Sequence, residues 1–344
     1  MFTCIVSEHH GKPCVAISNN AISIKIATSG GAIVSVTTPK TEINPLWEPP
    51  WKTVPVGLRH LAAKNGCFSQ KNDDILESQL LSTIGGHSLC CDVFGAHSKG
   101  EVEKAGLSFH GEAGLTEWQV TNVTTTSVTM SCRLVETQLI LTREYTPSID
   151  GAPVVKVTET MQNLCGFLRA LGKTQHVTIG SEMLNLNTEN TTSIKTSCTF
   201  TCNCDRGTTW PTDNGVNSFF AVGQDFQYPN IPRKNNVNDG LDDWRTFPRC
   251  KCNSDLCTMR VNPNDDYGWF VVEKKRTVIN SNTTSNTIEP TSSVMFSYIW
   301  ERKDNPWLMT WEENHSRSQE PWNGRTLCRG LEFGSCKFSR GIHS

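Results

Sequence analysis

The stretch Ile22-Ser-Ile-Lys-Ile-Ala-Thr-Ser-Gly-Gly-Ala-Ile-Val-Ser-Val-Thr-Thr38 decides the fold class of this chain. Ile22, Ile24 and Ile26 alternate with polar residues, which is the two-residue period of a half-buried β-strand. A second strand-like run begins directly after Gly30 and Gly31. Because a diglycine between two such runs is typical of a tight turn, the stretch predicts an antiparallel hairpin.

Runs of the same kind continue along the chain, rich in Thr and Val, as suits a pleated and half-buried surface. They cover residues 118–134 with a break at 124–127, 138–145, 154–160, 193–202, 258–261, 268–273 and 293–300. Helical patterns are limited to residues 73–83 and 98–105. Many strands with almost no helix favour a large antiparallel sandwich or barrel over a parallel βαβ fold. We therefore expect an all-β, mostly antiparallel fold with few short helices, and one domain over residues 1–344.

Composition excludes several classes of function. The chain has 344 residues, a net charge of −2 and no long basic run, so neither a nucleic acid nor a membrane is an expected partner. Its apolar stretches are much shorter than the roughly 20 residues of a membrane-spanning helix. The N-terminal residues lack the pattern of a secretory signal, and we expect a cytoplasmic protein. Glycosylation is accordingly not expected at the sequons of Asn122, Asn190, Asn282 and Asn314.

The fifteen cysteines leave one question open. Cys202, Cys204, Cys250, Cys252 and Cys257 could supply thiolates to zinc, although C-x-C spacing is less typical of zinc sites than C-x₂-C. Buried thiols are the alternative interpretation. We predict no metal, and the roles of these cysteines stay undecided.

Three segments place His or Glu beside Gly and aromatic residues, at 106–112, 175–180 and 329–334. Tryptophans lie near such segments, and flat aromatic faces beside carboxylates suit the C–H faces and hydroxyl edges of a sugar. They are Trp47, Trp51, Trp118, Trp307, Trp311 and Trp322. Each segment alone is weak evidence, but their joint order points to a sugar site.

These segments and their order resemble the aldose 1-epimerase (galactose mutarotase-like) superfamily, in its less characterised epimerase-like branch. The resemblance covers most of the chain. It rests on Asn44-Pro-Leu-Trp-Glu-Pro-Pro-Trp51, Gly85-Gly-His-Ser-Leu-Cys-Cys-Asp-Val-Phe-Gly95, residues 107–113, His176-Val-Thr-Ile-Gly180, Trp311-Glu-Glu-Asn-His315, Pro321-Trp-Asn-Gly-Arg-Thr326 and Arg329-Gly-Leu-Glu-Phe-Gly334. It implies a galactose mutarotase-like β-supersandwich whose concave face holds an open sugar pocket.

The resemblance also implies roles for individual residues. Glu332 matches the catalytic base of the family, and His176 matches its general acid. His110 matches a histidine that orients the substrate hydroxyls. Asp243, or its neighbour Asp242, matches an acidic residue that binds other hydroxyls.

One part of the family pattern is missing. The usual Asn-x-x-Gly-Arg segment is replaced in order by residues 85–95, so His87 and Asp92 are expected to contribute to the sugar site instead. Trp51 and Arg329 complete the set of expected substrate-binding residues, with Arg325 and Arg329 as the candidates for binding a phosphate group.

The expected activity is interconversion of the anomers of an aldose by acid–base ring opening and closure. It needs no cofactor, and the protein is expected to be a monomer or homodimer. Two alternatives stay open. One is a non-catalytic sugar-binding protein on the same scaffold. The other is a glycoside hydrolase or lyase that pairs Glu332 with Glu312 or Glu313, since hydrolysis needs two carboxyl groups about 5 to 9.5 Å apart.

Overall fold

In the computed structural model the chain is described over residues 2–54, 75–95, 109–184, 194–204, 209–211, 253–279, 288–315 and 317–335. These ranges contain seventeen strands in three sheets and two short α-helices. Neighbouring strands pair antiparallel throughout the three sheets. The predicted all-β, antiparallel class is confirmed.

The largest sheet has nine strands and carries the candidate site. In spatial order they are β1 (Thr3–His9), β2 (Lys12–Ser18), β3 (Ser23–Ala27), β4 (Ile33–Thr37), β5 (His87–Cys91), β10 (Lys173–Ile179), β17 (Leu327–Gly334), β16 (Trp307–Asn314) and β13 (Asn253–Arg260). The last strand that the structure describes, β17, thus lies between β10 and β16.

Two four-stranded sheets complete the fold. One has the order β6 (Gln119–Val123), β7 (Val128–Leu134), β8 (Leu139–Pro147) and β9 (Val155–Asn163). The other has the order β12 (Thr209–Pro211), β11 (Ile194–Cys202), β14 (Tyr267–Ile279) and β15 (Ile288–Glu301).

The described residues contain few helices, as expected. Helix α1 (Ile75–Thr83) falls within the helix predicted at residues 73–83, and α2 (Ser181–Leu184) is a single turn after β10. A 3₁₀ turn covers Ala113–Leu115. The helix predicted at residues 98–105 lies outside the described residues. Among the helices that the structure describes, none has the length and apolar character needed to cross a membrane.

The predicted hairpin at residues 22–38 forms β3 and β4, and both glycines between them have positive φ, +82° at Gly30 and +63° at Gly31. A Cβ at Gly31 would lie 2.5 Å from the indole of Trp118. The hairpin therefore needs glycine both for its turn and for room beside a buried tryptophan.

One cluster of buried apolar side chains draws on all three sheets, including Ile17, Leu89, Tyr145, Phe200 and Phe270. It fixes the nine-stranded sheet against the two smaller ones. The expectation of a single domain over residues 1–344 stays a prediction.

Candidate active site

His176 and Glu332 meet on one face of the nine-stranded sheet. The register pairs Gln175 with Phe333, so His176 of β10 lies opposite Glu332 of β17. The distance from His176 Nε2 to Glu332 Oε1 is 3.0 Å, with only 6% and 2% of the two side chains exposed. Two residues far apart in the sequence thus form a buried ion pair.

Two glycines leave the face of the sheet around Glu332 free of neighbouring side chains on its own strand. Because side chains alternate along a strand, residues 330 and 334 share the face of Glu332. A Cβ at Gly330 would lie 2.6 Å from Glu332 Oε1, and one at Gly334 would lie 2.5 Å from Thr174 Oγ1. Larger residues at these two positions would crowd the carboxylate or the neighbouring strand.

The ion pair sets the charge of the imidazole. Burial by itself would lower the pKa of His176, but the adjacent Glu332 carboxylate outweighs burial and raises that pKa above its ordinary value. The Thr178 hydroxyl lies 3.2 Å from His176 Nδ1. In the imidazolium form, Nδ1–H donates to that hydroxyl while Nε2–H faces the carboxylate. The structure therefore holds an acid and a base side by side.

His110 brings a second imidazole to the pair. Its ring centroid lies 4.9 Å from that of His176, at an interplanar angle of 78°. The Gly95 amide donates to His110 Nδ1 over 3.1 Å, so the proton of the neutral ring is on Nε2. Burial, and then the charge of His176, lowers the pKa of His110 well below its ordinary value. His110 is thus a neutral hydrogen-bond donor beside a charged histidine.

The loop around His110 depends on glycine. His110 has φ of +64° and Gly111 has φ of +77°, and a Cβ at Gly111 would lie 2.2 Å from the Cys91 carbonyl oxygen. The Phe94 ring packs 5.5 Å from His110 and 6.3 Å from His176, measured between centroids. Phe94 therefore forms an apolar wall beside both imidazoles.

Four tryptophans cluster on the other side of the pair. Trp311 of β16 pairs with Gly330 of β17, which places it next to the strand that carries Glu332. Trp322 packs on Trp311 at 6.2 Å, on Trp51 at 4.9 Å and in parallel on Trp47 at 6.2 Å, between ring centroids. Trp51 is half-buried, and its indole N–H donates to the Leu81 carbonyl over 2.8 Å. The structure thus brings Trp51 to an aromatic cluster that borders the site.

The structure does not bring His87 to this face. His87 lies opposite Val177 in the ladder, so its side chain points away from the face of His176. Its two ring nitrogens lie 2.8 Å from the Tyr298 hydroxyl and 2.8 Å from Gln175 Oε1. Burial, and then the charge of Arg143, lowers the pKa of His87 to about 3. This histidine is a neutral member of the contact between the sheets.

The polar contact that holds His87 continues into the second sheet. Arg143 donates to Gln175 Oε1 over 2.9 Å and to Glu159 over 2.8 Å, and Lys173 lies 3.1 Å from the same carboxylate. Although burial opposes ionisation, the two cations lower the pKa of Glu159 to about 2. We refer to His87, Arg143, Glu159, Lys173 and Gln175 as the inter-sheet network.

Arg329 also faces away from Glu332. The two residues are three apart in one strand and therefore occupy opposite faces. The Arg329 guanidinium lies 5.8 Å from the Phe200 ring centroid and 3.5 Å from Thr310 Oγ1, in the interior between sheets. The structure therefore places this expected substrate-binding residue in the core.

The other acidic candidates divide in two. Asp243 and Asp242 lie outside the described residues. Asp92 accepts hydrogen bonds from the Arg169 guanidinium and from the Gly172 amide. Asp92 therefore fastens the chain before β10, and no contact places it at the His176–Glu332 pair.

The cysteines proposed as zinc ligands are described only in part. Cys202 and Cys204 are buried in the apolar core. Cys250 and Cys252 lie outside the described residues, and only the backbone of Cys257, in β13, is described.

Sequence reasoning missed several residues at the site. Thr178 lies two residues after His176 on a strand, and the two-residue period would have indicated it. Gly330 and Gly334 stand two residues on either side of Glu332, so the same period would have indicated them. Phe94 lies outside any described strand, and although it belongs to the motif of residues 85–95, no periodicity distinguished it from its neighbours.

Comparison with known proteins finds similar solved structures, while no family model and no curated protein matches the chain. YeaD of Salmonella typhimurium, named a candidate mutarotase, has 11% identity and a TM-score of 0.47, over 96% of this chain and 85% of that one. A galactose mutarotase related enzyme of Lactobacillus acidophilus has 14% identity and a TM-score of 0.45, over 97% and 85%. A candidate aldose 1-epimerase of Escherichia coli K12 has 10% identity and a TM-score of 0.38, over 97% and 98%.

Proposed function

We propose that this protein is a carbohydrate mutarotase, an isomerase of the aldose 1-epimerase type that interconverts the anomers of an aldose or aldose derivative. The observation that supports the proposal is the buried His176–Glu332 pair, in which a proton donor and a proton acceptor lie 3.0 Å apart. Anomer interconversion needs a proton acceptor at the C1 hydroxyl and a proton donor at the ring oxygen, and both of these oxygens are bonded to C1.

In the proposed reaction Glu332 accepts the proton of the C1 hydroxyl while His176 donates a proton to the ring oxygen. The bond between C1 and the ring oxygen breaks, which gives an open-chain aldehyde. Rotation about the C1–C2 bond presents the other face of the carbonyl. The former ring oxygen then attacks C1 and returns its proton to His176, while Glu332 returns its proton to the C1 oxygen. Each step is balanced, and the two residues end in their starting states.

The surroundings of the pair suit this role. The raised pKa of His176 favours its protonated form, which an acid requires. His110 Nε2–H is available to a substrate hydroxyl, because its Nδ1 is already occupied by Gly95. The aromatic cluster with Trp311 and Trp51 offers an apolar face against which a sugar ring can pack.

The hydrolase alternative receives less support from the geometry. Glu313 pairs with Cys328 of β17, whereas Met309 pairs with Glu332. Four residues of strand therefore separate the two carboxylates along the sheet, which is about 13 Å. The Glu313 carboxylate contacts the Arg317 guanidinium at 3.3 Å and accepts from the Arg317 amide. Glu313 is thus far from the 5 to 9.5 Å spacing that hydrolysis requires.

Polarimetry tests the proposal. Fresh α-D-glucose and α-D-galactose are allowed to approach anomeric equilibrium with wild type, with Glu332→Gln and with Glu301→Gln as the matched surface control. We expect wild type and Glu301→Gln to accelerate equilibration, and Glu332→Gln to be slower by about 10² or more, since positioned acid–base groups typically contribute 10² to 10⁴.

Two results would contradict the proposal. Equal acceleration by wild type and Glu332→Gln would remove Glu332 from the reaction. Binding of sugar by wild type without any acceleration would favour the non-catalytic alternative. Location in the cytoplasm and a monomeric or homodimeric state stay predictions that this assay does not address.

A further inference from the structure

The first hairpin of the chain places two histidines and a glutamate together, away from the His176–Glu332 pair. His9 ends β1, and His10 and Gly11 form the two-residue turn before β2. His9 Nε2 lies 2.9 Å from Glu48 Oε1, and His10 Nε2 lies 2.8 Å from Glu48 Oε2. All three ligating atoms fall within 4.8 Å of one another.

The turn is what allows consecutive histidines to reach one carboxylate. Successive side chains of a strand point to opposite faces, so two adjacent strand histidines would diverge. Here φ is +50° at His10 and +80° at Gly11, which breaks the alternation directly after His9. Asn, Asp and Gly are the residues that such a turn prefers, so the turn itself does not call for histidine at this position.

One nitrogen of the cluster lacks a hydrogen bond. His9 Nε2 is buried and has no partner of suitable geometry, although Glu48 Oε1 is near. A ring nitrogen and a carboxylate oxygen that converge in this way offer two donor atoms to one cation when the nitrogen is unprotonated. His10 and Glu48 are accessible, with 68% and 39% of their side chains exposed, while His9 is 15% exposed. An ion can therefore enter from solvent.

A neighbouring side chain orients the carboxylate. Asn44 Nδ2 donates to Glu48 Oε1 over 3.2 Å and to the Val34 carbonyl over 3.0 Å. The Asn44 side chain also accepts from the Val36 amide. Such outer hydrogen bonds are typical of metal sites, because they fix the direction of the ligand oxygens.

We propose that His9, His10 and Glu48 bind one divalent transition metal ion, with zinc as the representative ion and water in the remaining position. Two imidazoles and one carboxylate form a donor set that zinc accepts, whereas Ca²⁺ and Mg²⁺ prefer oxygen ligands alone. Ligands about 2.1 Å from a tetrahedral ion stand about 3.4 Å apart, so the two imidazole–carboxylate distances of 2.9 and 2.8 Å need only lengthen by about half an ångström.

A metal ion at this site would connect two segments that are distant in the sequence. The turn at His10 would be tied to the segment of residues 44–51, which carries Trp47 and Trp51 of the aromatic cluster. Because binding to the folded state alone stabilises it, Zn²⁺ raises the melting temperature of wild type.

Zn²⁺ titration of the reduced, metal-free full chain tests the site, with wild type, His10→Asn and Glu48→Gln compared. Asparagine tolerates the positive φ of position 10, and both side chains are accessible, so both variants keep the fold. His315→Asn is the matched control, since His315 also has a positive φ, of +56°, and its ring contacts the Gly324 carbonyl rather than a carboxylate.

We expect wild type and His315→Asn to bind one equivalent of Zn²⁺ with the same affinity. His10→Asn and Glu48→Gln are expected to bind that equivalent at least ~10-fold more weakly. The rise in melting temperature disappears in the same two variants. Co²⁺ at the site shows no thiolate charge-transfer band, which separates it from any cysteine site. Equal zinc binding by wild type and both ligand variants, or no binding by wild type, would overturn the proposal.

Discussion

The protonation of His176 depends mainly on one neighbour, the Glu332 carboxylate. In Glu332→Gln the burial of His176 stays while the negative charge disappears, so the pKa of His176 falls from above 6.5 to below it. Titration of the imidazole by NMR measures this change.

The stabilisation that the ion pair gives is present at low pH and is lost as pH rises through the pKa of folded His176. Catalysis by a protonated His176 declines as pH rises through the same pKa.

The two imidazoles are distinguished in that titration, because burial, and then the charge of His176, lowers the pKa of His110 while Glu332 raises that of His176. An unchanged pKa of His176 in Glu332→Gln would show that the carboxylate does not hold the proton. At this scale the sequence predicted His176, His110 and Glu332 through a resemblance. It also predicted His87 and Arg329 for the site, and the structure places both side chains on the opposite face of the sheet, because a motif orders residues along the chain without saying which face each one occupies.

Two glycines of strand β17 shape the site, and replacing each of them by alanine is expected to have a different effect. In Gly330→Ala the new methyl group would meet the far end of the Glu332 side chain at 2.6 Å, so the carboxylate moves and the protein stays folded. In Gly334→Ala the methyl group would meet the Lys173 carbonyl oxygen at 2.5 Å, so the ladder itself must shift. We expect the first variant to lose activity about 10-fold or more with little loss of stability, and the second to lose about 1 to 3 kcal/mol of stability. Polarimetry and urea denaturation measure the two effects.

A Gly330→Ala protein that is fully active would show that the position of the carboxylate is not critical.

The strands of the site were also the hardest to predict from sequence. In β8 buried and half-buried residues alternate, and the two-residue period predicted that strand. In β10 and β17 nearly every residue is buried, on both faces, so no alternation exists to be detected.

The inter-sheet network joins five polar side chains between two of the described sheets. Arg143→Met removes one of the two cations that hold Glu159 and leaves a buried carboxylate with Lys173 as its remaining cation and Gln175 as a neutral donor. Losing one partner of a buried ion pair typically costs about 3 to 5 kcal/mol, and we expect a loss of that size in urea denaturation. Arg133→Met, on the exposed face of the neighbouring strand β7, is the matched control and is expected to change stability by less than about 0.5 kcal/mol.

Equal stability of Arg143→Met and wild type would show that the network contributes specificity rather than stability.

The members of the inter-sheet network were not predictable as a group from the sequence. Arg143, Glu159 and Gln175 belong to three different strands of two sheets, and only the packing of those sheets brings them together. The general architecture was predictable because it depends on local alternation, whereas this network depends on the order in which distant strands assemble.

The insertion of β17 between β10 and β16 has a consequence for how the protein is made. A ribosome delivers β10 and β16 before β17, so the centre of the large sheet stays open until the last of these strands emerges. Until then two neighbouring edges expose unpaired backbone groups, which attract other chains. A nascent chain therefore needs protection late in translation, and a premature stop before residue 327 leaves a sheet divided in two.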